Sequence, residues 1–152
     1  MAETKIRKYA VIERLGKMDV DVITLTPDTT TEECLAGDVI FQADELPNMV
    51  SVPAGTCMVH SIGVLDDDDN GQNIDIVFMD TTGLLDAGDD GGEIDAAAGV
   101  IPDAILGVVQ ITSYFDGIAW QYGYKTNIGL VLKAAAGTKS IYVSAVNRGS
   151  TA

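Results

Sequence analysis

The stretch best suited to chemistry is "HSIGVLDDDDNGQNIDIVFMD" (60–80), which sets four aspartates and an Asn-Gly pair between two apolar runs. Asp66, Asp68, Asn70 and Gly71 fall at the spacing D-x-D-x-N-G that opens a calcium loop. The chemistry is sound, since calcium takes roughly six to eight oxygens and a glycine lets the backbone wrap the ion. The pattern then departs from the motif: Val77 stands where a bidentate Glu should close the cage, and the flanks read as strands rather than helices. Asn-Gly between alternating apolar runs is also the strongest short-range hairpin signal, because both residues accept the positive φ of a tight turn. A hairpin tip is therefore the expected structure. Asp66, Asp68 and Asn70 stand as candidate ligands for weakly held calcium, assisted by Asp75 or by acids of the 86–95 segment, and no other cofactor is expected.

Enzymatic constellations are poorer. His60, the one imidazole, lies in an apparent strand beside Cys57 and Met58, where packing is its expected role. Cys57 and His60 are three apart, so in one strand they point to opposite faces and form no dyad. Cys34 and Cys57 read as thiols of a reducing compartment, and with a single histidine they cannot close a zinc site without carboxylates. "AGTKS" (136–140) lacks the length and first glycine of a phosphate-binding loop. No enzymatic activity is expected. Tyr114, Phe115, Trp120, Tyr122 and Tyr124 could form a sugar-binding or interface surface. Trp120, Tyr122 and Tyr124 share one face of a strand at period two, as residues of a packed sheet do, and the core is their expected place.

The elements that must hold these residues are short and β-rich. Strand-like runs recur at 20–26, 38–43, 56–65, 73–79, 108–115, 119–124, 128–134 and 140–146, separated by turn signals such as "TPDTT", "VPAG", "DNGQ", "FDG" and "AAGTK". About eight strands at this spacing predict an all-β, antiparallel β-sandwich or jelly-roll-like domain, its last three strands forming a meander. "IPDAILG" (101–107) is the one candidate for a helical turn, with Pro102 suited to a first helical position and Gly107 to a stop. The Gly-, Asp- and Ala-rich segment 80–99 reads as a long loop.

Charge divides the chain. There are 23 Asp and Glu against 9 Lys and Arg, a net charge of −14. Between Lys17 and Lys125 there is no Lys or Arg, whereas Lys5, Arg7, Lys8, Arg14 and Lys17 crowd the start. The reading is a basic N-terminal arm (1–17) with those five cations as interface residues, followed by one acidic domain (18–152). An acidic body repels phosphate, which argues against direct nucleic-acid binding. No apolar run is long enough to cross a membrane as a helix, and the N-terminus lacks the apolar core of a secretory signal.

Several stretches together carry a likeness. "CLAGDVIF", "LPNMVSVPAGT", "SIGVLDDDDNGQNIDIVFMD", "IPDAILGVVQI" and "NIGLVLKAAAGTKSIYVSAVNRGSTA" follow an order, over most of residues 35–151, that resembles small head-decoration or cement proteins of tailed bacteriophages. The resemblance implies a jelly-roll-like fold made in the host cytoplasm and placed on the outer capsid surface of the virion, as a homotrimer bridging major capsid subunits. Residues 1–17 would then reach to the shell or to a neighbouring copy. Two other readings stay open: a tail or fibre component binding a host glycan through Trp120, Tyr122 or Tyr124, and a calcium-dependent carbohydrate-binding or adhesion module.

Overall fold

The computed structural model describes residues 5–7, 21–29, 34–67, 71–82 and 104–150, with the backbone alone for 5–7 and Ser150. Every element among them is a strand: β1 (Lys5–Arg7), β2 (Thr24–Leu25), β3 (Val39–Leu46), β4 (Thr56–Val59), β5 (Ile62–Asp66), β6 (Gln72–Met79), β7 (Ile105–Ile111), β8 (Tyr114–Asp116), β9 (Gln121–Lys125), β10 (Leu130–Lys133) and β11 (Ile141–Ser150). They form a five-stranded sheet in the order β2-β1-β5-β9-β8, a four-stranded sheet β3-β11-β6-β7, and a two-stranded ribbon β10-β4. All pairings are antiparallel. The protein is thus all-β and sandwich-like.

Eleven strands stand among the described residues where eight were expected, because two runs change sheet partway and β1 adds a strand from the segment read as an arm. The run at 56–65 breaks at His60 and Ser61, leaving β4 in the ribbon and β5 in the five-stranded sheet. The run at 108–115 breaks at Thr112 and Ser113, where the chain passes from the four-stranded to the five-stranded sheet. Three local readings are corrected by these pairings. The Asp-rich connection is no hairpin, since β5 and β6 belong to different sheets; Asn-Gly reports the turn but not which strands it leaves paired. The last three strands form no meander, because β9, β10 and β11 each pair elsewhere. Ile105, Leu106 and Gly107 belong to β7, paired with β6, so the expected helical turn (101–107) does not run past Ala104, which is in a 3₁₀ turn, while 101–103 lie outside the described residues. The segments 83–103 and 68–70, including most of the expected 80–99 loop, lie outside the described residues.

β4–β5 and β9–β10 together make one long interrupted ladder. Its pairs run from Thr56 opposite Lys133 to Val59 opposite Leu130, and from Ile62 opposite Lys125 to Asp66 opposite Gln121. Between the two halves the Ile128 N–H donates to the His60 carbonyl at 2.9 Å, so the backbone pairing carries through the break.

The main core fills the space between the sheets. Val64 and Ile62 of the five-stranded sheet meet Ile74, Ile76, Phe78, Val109, Ile111, Phe41 and Val143 of the four-stranded sheet, and Val59 and Leu132 of the ribbon close one side. The sheets approach tightly at Gly123, where a Cβ would lie 2.7 Å from Ile111 Cγ2 and 2.6 Å from Tyr114 Cε1. Only a residue without a side chain fits that crossing. The opposite face of the four-stranded sheet carries a second cluster, Val39, Val77, Met79 and Val146. Segment 34–38 is tied to its end through Asn147, whose Nδ2 donates to the Cys34 carbonyl at 2.7 Å while its own N–H donates to the Asp38 carbonyl at 2.8 Å.

Candidate interaction surface

Of the five aromatic candidates, Phe115, Trp120, Tyr122 and Tyr124 lie on the outer face of the fold and Tyr114 packs against the core. β8 and β9 form a hairpin in which Phe115 stands opposite Tyr122 and Asp116 opposite Gln121, closed by the Gly117 N–H donating to the Trp120 carbonyl at 2.8 Å. Val64, Gly123 and Tyr114 occupy one row across β5, β9 and β8, on the side where Val64 and Gly123 are buried. Period-two alternation then sends Trp120, Tyr122, Tyr124 and Phe115 the other way. Phe115 is 61% exposed, Trp120 and Tyr124 are exposed, and Ile118 at the hairpin tip is fully so. The Phe115 and Trp120 rings lie 5.9 Å apart, and those of Tyr122 and Tyr124 stack at 6.4 Å. The expected core placement of Trp120, Tyr122 and Tyr124 is therefore reversed: the sandwich interior at β9 has no room beside Ile111 and Tyr114, and the glycine, not the aromatic, takes the inward position.

The ribbon holds a second apolar surface. Val131 pairs directly with Met58, and both are exposed; Lys133 opposite Thr56 continues the same outward face. Leu132, buried between Val131 and Lys133, takes the inward side. Sequence alone missed this pair. The signal was present in Lys133 two residues beyond Val131, since a lysine at period two marks the side of a strand that meets water.

The predicted site residues fall as follows. Asp66 ends β5, opposite Gln121, which in turn faces Asp116 on β8, so a carboxylate flanks that amide on either side. Asp68 and Asn70 lie outside the described residues, as do Lys8, Arg14 and Lys17. Lys5 and Arg7 belong to β1, paired opposite Leu65 and Gly63 between β2 and β5, so that part of the expected arm supplies a strand to the domain's own sheet. Among the described residues, no three His, Cys, Asp or Glu converge to hold a metal. Cys34 and Cys57 are not joined in a disulfide, and Cys57 packs against the core from the ribbon. His60 sits at the break between β4 and β5, its Nδ1 buried without a hydrogen-bond partner next to the similarly placed Ser61 Oγ.

Burial pushes the Tyr114 phenol well above its ordinary range, and the charge of Asp66 adds to the effect. The hydroxyl stays protonated and donates to the Gln72 carbonyl at the start of β6, tying the hairpin to the facing sheet. No family model, curated protein or solved structure matches this chain.

Proposed function

We propose that this protein is a structural component of a tailed-phage virion that decorates the outer capsid surface, bridging major capsid subunits as a jelly-roll-like homotrimer. The observation that carries this reading is the pair of exposed apolar surfaces, Phe115, Ile118, Trp120 and Tyr124 at one place and Met58 with Val131 at another, on an otherwise strongly acidic protein. Exposed clusters of large apolar side chains mark contact surfaces. The order of motifs over residues 35–151 supports the same reading. In it, shell binding draws on many weak repeated contacts, whose effective concentration makes them jointly strong. The acidic body keeps the protein soluble before assembly and clear of the packaged genome.

The test is co-sedimentation of the purified protein with capsids that lack it. A fixed ratio to the major shell subunit is expected; protein left in the supernatant at saturating shell would defeat the reading. The cations of 1–17 are then tested by charge reversal at Lys8, Arg14 and Lys17, which leaves β1 in its place between β2 and β5. Loss of co-sedimentation with an unchanged melting curve is the expected result.

The exposure of Trp120 and Tyr124 also favours a second reading, a tail or fibre protein binding a host glycan on this aromatic face. Sugars stack on such rings. Glycan-array binding lost in Trp120→Ala, with no binding to shells, would select it over decoration.

A further inference from the structure

The outward face of the five-stranded sheet differs in charge from the rest of the chain. Lys5, Leu65, Tyr122 and Phe115 form one row through β1, β5, β9 and β8, and Arg7, Gly63 and Tyr124 form another. The row between them, through Ile6, Val64, Gly123 and Tyr114, lies on the inward side, where Val64 and Gly123 are buried. Leu25, paired with Ile6, packs against the core accordingly. Successive rows alternate between faces, so β1 sets Lys5 and Arg7 on the same face as the two tyrosines. Gly63, itself buried, adds no side chain to its row. Among the described residues no strand position on this face is acidic, although the chain has 23 Asp and Glu. Asp66 and Asp116, at the ends of β5 and β8, belong to inward rows, and Asp67 lies past the end of β5.

We propose that this face binds a carboxylate-bearing saccharide, whose rings stack on Phe115, Tyr122 and Tyr124 and whose acid group is held by the charge of Lys5 and Arg7. The proposal rests on the glycan-binding reading of the aromatic face and names the class of glycan. Phe115 and Tyr124 are exposed, and the Tyr122 and Tyr124 rings lie nearly parallel, 16° apart. Such rings offer an apolar body to any sugar and do not tell acid from neutral. The cations of β1, two strands and about 10 Å away in the same rows, supply that choice. Size argues for a small ligand. From β1 to β8, and from Trp120 to Tyr124, the face measures about 15 Å each way. That is roughly 200 Å², against about 800 Å² for each side of a stable protein interface. A nucleic-acid strand would also stack, but it brings a phosphate at every nucleotide to a body of net charge −14. A sugar acid brings its charge among neutral hydroxyls.

The full chain is applied to an array of sialylated, uronate-bearing and neutral glycans, and the strongest acidic glycan is then titrated by calorimetry beside its own methyl ester. Binding concentrates on the acidic glycans, and the ester binds about ten-fold more weakly. Lys5→Gln combined with Arg7→Gln lowers the acid to the affinity of the ester and leaves the ester unchanged. Lys5→Arg combined with Arg7→Lys keeps the preference. Tyr124→Ala weakens both forms alike, by about five-fold. Melting curves accompany each variant, and the acid-to-ester ratio of the wild type needs no variant at all. Equal binding of acid and ester overturns the proposal while leaving the glycan reading standing, and so does a preference that survives the loss of both cations. Binding to no glycan overturns both. Binding of a single-stranded oligothymidylate in place of every acidic glycan would hand the face to nucleic acid and overturn the proposal as well.

Discussion

Tyr114 concentrates in one side chain the problem of joining two sheets. Its ring packs beside Gly123 and Ile111, and its hydroxyl reaches across to the Gln72 carbonyl. The neutral phenol is the form the fold prefers, because burial first, and the Asp66 charge second, oppose its ionisation. The folded value therefore lies above that of the unfolded chain, near the ordinary phenol value of about 10. Below that pH the contribution to stability is fully present; above it the unfolded chain loses the proton first and stability falls as pH rises. Tyr114→Phe is expected to cost about 1 kcal/mol at neutral pH through loss of the hydrogen bond. The variant should also lose less of its melting temperature than the wild type between about pH 9 and 11. Thermal melts across that range check both effects, and parallel slopes in the two proteins would assign alkaline loss to other groups.

At the scale of elements, the pairing of β3 with β11 shows how an edge strand is fitted to a longer neighbour. Register slips twice, between Val143 and Ala145 and between Ala145 and Val146, and the bulged Ala43 has φ +44. Its N–H is caught by the fully buried Ser144 hydroxyl at 2.8 Å. Ser144→Ala should thus cost about 1–3 kcal/mol, the penalty for a part-buried donor left without its acceptor. Ala43→Gly should be neutral or stabilising by up to about 1 kcal/mol, since the left-handed backbone no longer carries a Cβ. Chemical denaturation of the two variants reads both signs. Such bulges also explain how far the sequence could be read. Alternation in "NIDIVFM" and "SIYVSAV" located β6 and the start of β11 to within a residue, because strands flanked on both sides and packed on a core must obey period two, although β11 runs four residues past the expected end at Val146 to Ser150. The sheet changes at His60–Ser61 and Thr112–Ser113 left no such mark, since alternation describes a strand's two faces and is silent about its partner. For the same reason Asn-Gly suggested a hairpin where the chain crosses between sheets. The aromatic face was misplaced by residue type: Trp and Tyr at period two resemble a core, and the deciding fact was Gly123 among them, a residue small enough for the closest approach of the sheets.

For the whole molecule, the net charge of −14 is a force to be weighed against every contact. Like charges on one body repel over roughly the Debye length, about 10 Å at 0.1 M salt, so the folded state is disfavoured most in dilute buffer. One described ion pair is strongly sheltered: Arg148 Nε donates to Asp75 Oδ2 at 2.6 Å, with the aspartate side chain only 6% exposed. Screening should leave that pair nearly intact while relieving the repulsion among exposed acids. The melting temperature is therefore expected to rise by a few degrees between about 10 mM and 300 mM NaCl. Association would raise it too, through mass action on the folded form. Melts at a series of protein concentrations separate the two effects, because a gain from association grows with concentration and the relief of self-repulsion does not. Calcium chloride at matched ionic strength completes the comparison. Equal melting curves make calcium one more screening ion, whereas a further rise with calcium, reversed by chelation, would mean that carboxylates such as Asp66 hold the ion in place.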